Sequence, residues 1–483
     1  MKTYIRFTLA ILLLLIVGFF VTNFFVSKKV KTLLTEEKSL SFSGFDVNAF
    51  TGNLSLKDVK FDDVSKTIKI KEIDINVDIL HYFLNKEIII ESIDAEELDL
   101  KLISSSDSKT KEGRKLKIVR IEKIKLKDAN LIYDNKNKTV FELFKLNLKA
   151  ENVTWPLDKN YKWLENETIA IDAKKLRYTM DTLHDLTSEA FQFSKHSLTF
   201  TDFSIKPKFT KSDYVNHIKK EKDLLNMKSK ILKITGIGLQ KKDSLLHVTS
   251  NKIQIDSTGF NIYRDKTIAD DTSYKALYSK SLRELDFQLS IDSLMISELD
   301  LTYQELLNND RKASEIKFNA IEARVLNIHN SLNAKRPDIK VEAKAKFSKG
   351  SEIIFNYNFV PDHEQFYVST DLKQIEDKSI NGFFAPAMRM EMDGTINEIR
   401  TSIAGSNTEM NGDFSIANEK LKLNILKKDG SKNNFASLIS NAILRNKDVY
   451  NQYKLEKVKR DRTKSFWNYV WTFHLQGLKK SLL

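Results

Sequence analysis

The chain has 483 residues, 78 of them basic and 65 acidic, for a formal net charge of +13, and 41% are hydrophobic; this is the composition of a folded protein of several domains, not of a disordered one. The absence of cysteine excludes disulfides, thiolate metal sites, iron–sulfur clusters and a cysteine nucleophile. Only 14 glycines and 5 prolines occur, against a usual ~7% and ~5%, which excludes collagen-like repeats, proline-rich linkers and glycine-rich phosphate loops. Basic residues are interleaved with acidic ones, the pattern of a solvated lysine-rich surface and not of a nucleic-acid site.

The first element in chain order is the uncharged run Phe7–Val26, FTLAILLLLIVGFFVTNFFV. As a helix it is long enough to cross a hydrocarbon core of ~30 Å. Lys2 and Arg6 precede it and Lys28, Lys29 and Lys31 follow, so flanking charge alone does not orient it. Residues 1–6 are too few to fold, whereas the rest of the chain is not; the expectation is a short cytoplasmic N-terminus, 1–6, with the bulk translocated. No small-x-small cleavage site follows the run, which favours an uncleaved transmembrane anchor at 7–26 over a signal peptide. In a bacterium with two membranes the protein would then be a single-pass inner-membrane protein with its bulk in the periplasm.

After the anchor the dominant signal is alternation. Ile68, Ile70, Ile73, Ile75, Val77 and Ile79 are separated by polar residues, with one break of phase at Lys71–Glu72, which predicts a strand with one apolar face. The same pattern recurs at Leu98–Leu102, Ile124–Tyr133, Leu146–Ala150, Leu198–Ile205, Ile253–Ile255, Phe287–Ile291, Ile353–Phe359 and Leu421–Ile425. Helices are predicted at Ile79–Leu84, Asp181–Phe193, Lys211–Met227 and Thr302–Asn308, and in a long segment from Ala436 toward the end. Asn and Asp supply the turns, as in Asp134-Asn135-Lys136-Asn137. At an offset of 170 residues, IEKIKLKDANLIY (Ile121–Tyr133) aligns with IDSLMISELDLTY (Ile291–Tyr303), and FKLNLKA (Phe144–Ala150) then resembles IKFNAIE (Ile316–Glu322). The match reads either as one sheet-building unit used twice or as two ordinary amphipathic strands.

More than a dozen strands each carry an apolar face, too much for the few helices to cover. The faces must either close on another sheet in a dry sandwich or barrel, or line a trough occupied by something apolar. Beside a membrane the natural occupant is a lipid acyl chain.

The order of segments adds a resemblance. GFDVNAFTGNLSLKDVKFDD (Gly44–Asp63), followed by IKIKEIDINVDILHYFLNKEIIIESIDAEELDLKL (Ile68–Leu102), resembles the N-terminal part of AsmA-like proteins, in which a single anchor helix precedes a series of strands. Gly52, Leu54, Leu56, Val59, Ile73, Leu80, Ile88, Ile93, Leu98 and Leu100 carry it. FNIYRDKTIADD with SLRELDFQLSIDSLMISELDLTYQE (260–271 and 281–305) and the C-terminal SLISNAILRNKD and KSFWNYVWTFHLQGLKK (437–448 and 464–480) look like the version of the family found in Bacteroidetes-type bacteria. The resemblance implies architecture related to chorein-type bridge-like lipid-transfer proteins, with a hydrophobic groove, and a role in outer-membrane lipid homeostasis, outer-membrane assembly and envelope biogenesis. A complete bridge across a periplasm would need a partner or an oligomer.

The expected fold is therefore mainly β with a few helices: an N-terminal transmembrane helix, an elongated, curved antiparallel sheet forming a hydrophobic groove, and a C-terminal amphipathic helix. Its segments are 27–155, an AsmA-like N-terminal β unit; 156–285, a middle β/α segment; 286–435, a second β unit; and 436–483, a basic and aromatic C-terminal helix.

Candidate lipid-groove residues are Ile73, Ile75, Val77, Leu98 and Leu100. Arg264 and Lys266, within Tyr263-Arg264-Asp265-Lys266, are candidates to hold a lipid headgroup or a partner; the competing reading is a polar turn with local ion pairs. Trp467, Tyr469, Trp471 and Phe473 follow a basic run and suit a membrane interface, or else a helix packed over the sheet. Asp181, His184 and Asp185 would share one helix face, but no second set of ligands accompanies them, so no metal or other cofactor is expected. No G-x-S-x-G, H-E-x-x-H, G-x-x-x-x-G-K or G-x-G-x-x-G occurs, and adjacent carboxylates such as Glu96 and Glu97 on a strand point to opposite faces. The expected function is non-enzymatic: membrane lipids as partners, acyl chains shielded or transferred in a β-groove. The alternative is an anchored envelope scaffold that binds proteins and keeps a closed apolar core.

Overall fold

Alternation does become strand along most of the chain. A computed structural model describes residues 22–36, 39–104, 118–135, 138–166, 168–332, 336–347, 350–427, 431 and 451–482, and the protein is mainly β, with 62% of the described residues in strands. It divides into two compact units, Met1–Thr179 with Thr187–Leu198, and Met180–Leu186 with Thr199–Leu483. Most of the expected anchor, residues 7–21, lies outside the described residues; 22–26 belong to a helix, α1 (22–35). No helix among the described residues is long and apolar enough to cross a membrane.

In the first unit, β1 (Leu40–Ser41) and β2 (Gly44–Asn48) both pair with β3 (Asn53–Asp63), and the ladder continues through β4 (Lys66–Val77) and β5 (Ile89–Ser104). The short helix α2 (Ile79–Asn85) joins β4 to β5 and is N-capped by the Asp78 carboxylate, which accepts from the His81 N–H at 2.8 Å. β6 (Val119–Asn135) lies parallel to β5, and β7 (Lys138–Trp155) and β8 (Ala170–Thr179) follow antiparallel. β9 (His184–Ser194) and β10 (Ser197–Pro207) are each divided between the units.

The second unit repeats the scheme. β11 (Leu224–Thr235) and β12 (Gly238–Lys242) pair with one edge of β13 (Leu245–Asp265), and β14 (Gln288–Leu306) lies parallel on its other edge. α3 (Tyr278–Arg283) lies in the crossover between β13 and β14, the kind of connection parallel neighbours require. Antiparallel neighbours then follow in order: β15 (Ser314–His329), β16 (Ile339–Lys346), β17 (Glu352–Phe359), β18 (Phe366–Glu376), β19 (Met390–Gly405), β20 (Glu409–Ile425) and β21 (Asn451–Lys459). α4 (Asp377–Met388) and α5 (Phe466–Leu482) pack on the strands of this half. Each unit thus contains one parallel pair, β5 with β6 and β13 with β14, so its strand pairing is mixed and not antiparallel throughout as expected.

The two matched segments at offset 170 occupy equivalent places. Ile121–Tyr133 lies in β6 and Ile291–Tyr303 in β14, each parallel to the preceding strand and antiparallel to the next. Both ladders shift register at the same points, Leu126/Ala129/Leu131 and Ile296/Leu299/Leu301. Asp128 and Glu298 share a left-handed φ of 52°. Asn130 and Asp300, again 170 apart, each use a side-chain oxygen to accept from the N–H of another left-handed residue on the next strand, Lys145 at 3.1 Å and Ala320 at 2.9 Å.

Three predicted helices are not helices. Asp181–Phe193 is a turn followed by β9: the Asp181 carboxylate accepts from the N–H groups of Leu183 and His184 at 2.7 and 2.8 Å, an Asx turn that imitates a helix cap and leads into a strand instead. Lys211–Met227 holds only one 3-10 turn, Tyr214–His217, before β11 begins at Leu224. Thr302–Asn308 continues β14, where Tyr303 pairs with Ile262 and Ile316 on its two sides. At the C-terminus, residues 432–450 lie outside the described residues, 451–459 are β21, and α5 is confined to Phe466–Leu482.

Candidate functional site

In the first unit the strand pairing gathers the alternating apolar residues on one face. One row runs Leu54–Ile75–Ile93–Ile124–Ala150, the next Leu56–Ile73–Ala95–Leu126–Leu148–Ile171, and a third Phe61–Ile68–Leu100–Leu131–Leu143–Leu176. Leu98 extends a fourth with Val59 and Ile70. The sequence changes phase between rows two and three, yet the face is kept. Asp58, Glu97, Asp128 and Lys145 each adopt φ of 50–52° at that level, and one left-handed residue swaps the side to which the following side chains point. The break at Lys71–Glu72 in β4 falls at the same level, since Glu72 pairs with Lys57 and Glu96, but neither of its residues is left-handed.

The opposite face is polar. Lys57–Glu72 at 3.2 Å and Lys127–Glu96 at 3.1 Å are cross-strand pairs, and Lys71 pairs with Glu97. All are solvent-exposed and each contributes little.

The five predicted groove residues, Ile73, Ile75, Val77, Leu98 and Leu100, are half-buried, and four of them fall in these rows; Val77 pairs with Ile90 at the end of the sheet. Among the described residues, both clusters of buried, mutually packed apolar side chains belong to the second unit. Leu56, Val59, Leu143 and Leu176 of the first unit's face are individually buried, but among the described residues no such cluster is packed on it.

The second unit has both conditions. Over β16–β21 the apolar face is closed by α4 and α5: Phe366, Ile403, Met410 and Phe414 of the strands, Phe384 of α4, and Phe466, Tyr469 and Phe473 of α5 form one dry core. Ser465 caps α5, accepting from the Asn468 N–H at 3.2 Å. The buried residues Phe466, Tyr469, Val470 and Phe473 recur at the spacing of one helical stripe. Gly477 lets the helix approach, since a Cβ there would lie 2.3 Å from the Phe414 ring.

Of the four predicted membrane-interface residues, Tyr469 and Phe473 are thus core, Trp471 packs against Phe383 and Phe384, and Trp467 is exposed. Over β11–β15 the face continues in half-buried rows, Ile234–Ile253–Leu294–Val325 and Met227–Phe260–Leu301–Phe318.

The row Leu225–Ile262–Tyr303–Ile316 is followed by charge. Arg264 makes a bidentate pair with Asp223, Nε to Oδ1 at 2.7 Å and Nη2 to Oδ2 at 2.8 Å. Burial opposes the charge on Arg264, but the Asp223 carboxylate outweighs it and raises its pKa further. Lys266 lies 3.3 Å from Glu305 and 3.8 Å from the buried Glu221, which also meets Lys464 at 3.8 Å. Arg264, with Lys219, Lys220, Lys222 and Lys275, lines a surface cleft that also contains Glu221, Asp223 and Asp271. Both predicted cations are therefore engaged in ion pairs. Arg264→Ala is expected to lower the unfolding free energy by about 1–2 kcal/mol, after discount for its partial exposure, with Arg264→Lys restoring only part; urea titration checks this, and an unchanged midpoint would return Arg264 to a docking role.

Asp181, His184 and Asp185 do not form the side-by-side set that a helix would have made. The Asp181 carboxylate is pushed up by partial burial, but the Lys222 ammonium and the N–H groups of Leu183 and His184 prevail and hold it at about 2. His184 is fully buried; its Nε2 accepts from the Leu225 N–H at 2.8 Å, so Nδ1 carries the proton and donates to Asp181 at 3.0 Å. Asp185, the next residue along the strand, pairs with Lys208 at 3.2 Å. Among the described residues no group of three or more His, Asp or Glu side chains could hold a metal ion. The sequence reading missed a rim of exposed apolar residues at one end of the first unit; the signal was the heptapeptide ILHYFLN at Ile79–Asn85, too apolar for a helix that buries nothing.

No protein-family model matches the chain, and none of the curated proteins does.

Proposed function

We propose that the chain is a membrane-anchored, AsmA-like periplasmic protein, without enzymatic activity, whose β-sheet shields phospholipid acyl chains and serves lipid homeostasis of the outer envelope. The observation that carries this reading is the apolar face of the first unit: apolar rows continuous across β3–β8, mostly half-buried, on which no cluster of buried apolar side chains is packed among the described residues. A contiguous apolar surface of this size beside a bilayer is stable when hydrocarbon lies on it. The uncharged run Phe7–Val26 and the resemblance carried by Gly44–Leu102 supply the anchor and the compartment.

The test is site-specific photo-crosslinking in the full chain in cells. A benzophenone amino acid at Leu100, on the apolar face, is expected to yield phospholipid adducts, and the same group at Lys69, on the polar face, is not. Adducts at neither position would sink the reading. The closed core around α5 favours the scaffold alternative for that part of the chain, and a lipid-free Leu100 would leave the scaffold standing for the whole.

A further inference from the structure

Most of the large apolar side chains that the first unit leaves in water gather at one end of its sheet, with Val64, Leu102 and Tyr178 at the other. Phe50 in the β2–β3 turn, Leu80, Phe83 and Leu84 of α2, Ile118 before β6 and Trp155 at the end of β7 are all exposed, Leu80, Leu84 and Ile118 by more than 70%. Strand pairing puts them together. The Val77 N–H donates to Gly52 O at 3.1 Å, the Asp78 N–H to Ile89 O at 3.0 Å, Ile90 is level with Ile121, and Val119 is level with Trp155. Gly52 is required for this closeness: its φ is +77°, and a Cβ would lie 1.9 Å from Val77 O.

α1 leads to the same end. The Ala49 N–H donates to Asn23 Oδ1 at 2.6 Å, and the Lys31 ammonium lies 5.9 Å from the Phe45 ring, so α1 runs antiparallel beside β2 with its N-terminal side at the β2–β3 turn. Phe24 and Phe25 are exposed there, and residues 22–26 of the apolar run Phe7–Val26 form the start of α1.

α2 has no buried residue, so core packing does not account for its Leu, Tyr, Phe and Leu. Lys86 stands over the rings of Tyr82 and Phe83 at 5.8 and 5.9 Å, and Lys28, Lys29 and Lys31 follow the apolar run. Leu and Phe pointing out, Tyr and Trp at the margin and ammonium groups behind them match the depth profile of a bilayer surface, from acyl chain to anionic headgroup. We propose that this end of the first unit is embedded in the interfacial layer of an anionic bilayer, with α2 lying in its plane and Phe50 and Trp155 flanking it. The proposal rests on the membrane-anchored part of the reading above and is independent of whether the sheet face carries lipid.

The absence of cysteine allows a direct test. In the full chain, Leu84→Cys and, at the opposite end of β3, Val64→Cys are labelled with bimane and reconstituted into vesicles of phosphatidylethanolamine and phosphatidylglycerol containing doxyl lipids, with Leu80→Cys as a second reporter. Quenching several-fold stronger at Leu84 and Leu80 than at Val64, in variants whose unfolding matches the parent, is the expected result. Equal quenching at both ends overturns the proposal. So does shielding of Leu84 that grows with protein concentration and ignores the doxyl lipid, which would mean a second copy on this surface. Failure of the chain to float with vesicles removes both this proposal and the anchor. Strong quenching at Leu84 without lipid adducts at Leu100 leaves this proposal intact and removes the groove.

Discussion

Replacing Phe473 by alanine is expected to lower the stability of the second unit by about 3–5 kcal/mol, the usual cost of truncating a fully buried phenylalanine. Phe473 is 0% exposed and sits in the core that α5 shares with Phe414, Phe366 and Met410. The neighbours cannot collapse into the space, because Gly477 and Phe414 already hold helix and sheet at their closest approach. Trp467→Ala, on the same helix but exposed, beside the Phe355 and Phe466 rings at 5.2 and 5.4 Å and hydrogen-bonded to the Tyr278 hydroxyl, should cost about 1 kcal/mol. Urea unfolding followed by tryptophan fluorescence separates the two. Equal losses would mean that α5 contributes as a surface helix and not as part of the core.

The second large effect concerns binding. Ile73→Glu combined with Leu100→Glu introduces two carboxylates into the apolar face, in the rows on either side of the Val59–Ile70–Leu98 row. Both positions are half-buried, so the carboxylates can reach water and the fold should survive, with a loss of about 1–3 kcal/mol. Hydrocarbon, however, would have to desolvate them. Lipid adducts formed by a benzophenone group at Leu131 should fall at least tenfold, since discrimination of more than ~1.4 kcal/mol is a decade in occupancy. Adduct yield that persists in a folded double variant would count against acyl chains lying on these rows.

Strands were legible because they are half-buried: one polar and one apolar side give a period of two at Ile68–Val77 and Leu98–Leu102, and even the break at Lys71–Glu72 was visible in the sequence. The parallel pairing of β5 with β6 and of β13 with β14 was not, because both kinds of ladder impose the same alternation. Asp181 shows why helix assignments failed. A carboxylate accepting from the N–H groups two and three residues ahead begins an Asx turn and a helix alike, and only the distant partners Leu225 and Lys222 decide between them. The residues of α5 were read correctly as apolar and aromatic, but whether such a helix meets lipid or Phe414 depends on a sheet over 50 residues earlier in the chain. The matched segments at offset 170 were read from side chains alone, and the shared kink at Asp128 and Glu298 adds a backbone coincidence that side-chain resemblance does not require.

That coincidence bears on how such a sheet can be lengthened. In each unit a long strand accommodates its length with one left-handed residue and a register shift, Asp128 in β6 and Glu298 in β14, in place of running flat. A ladder built this way can change phase part-way along and still keep its greasy side on one face, so its strands can run on for a further stretch of apolar residues.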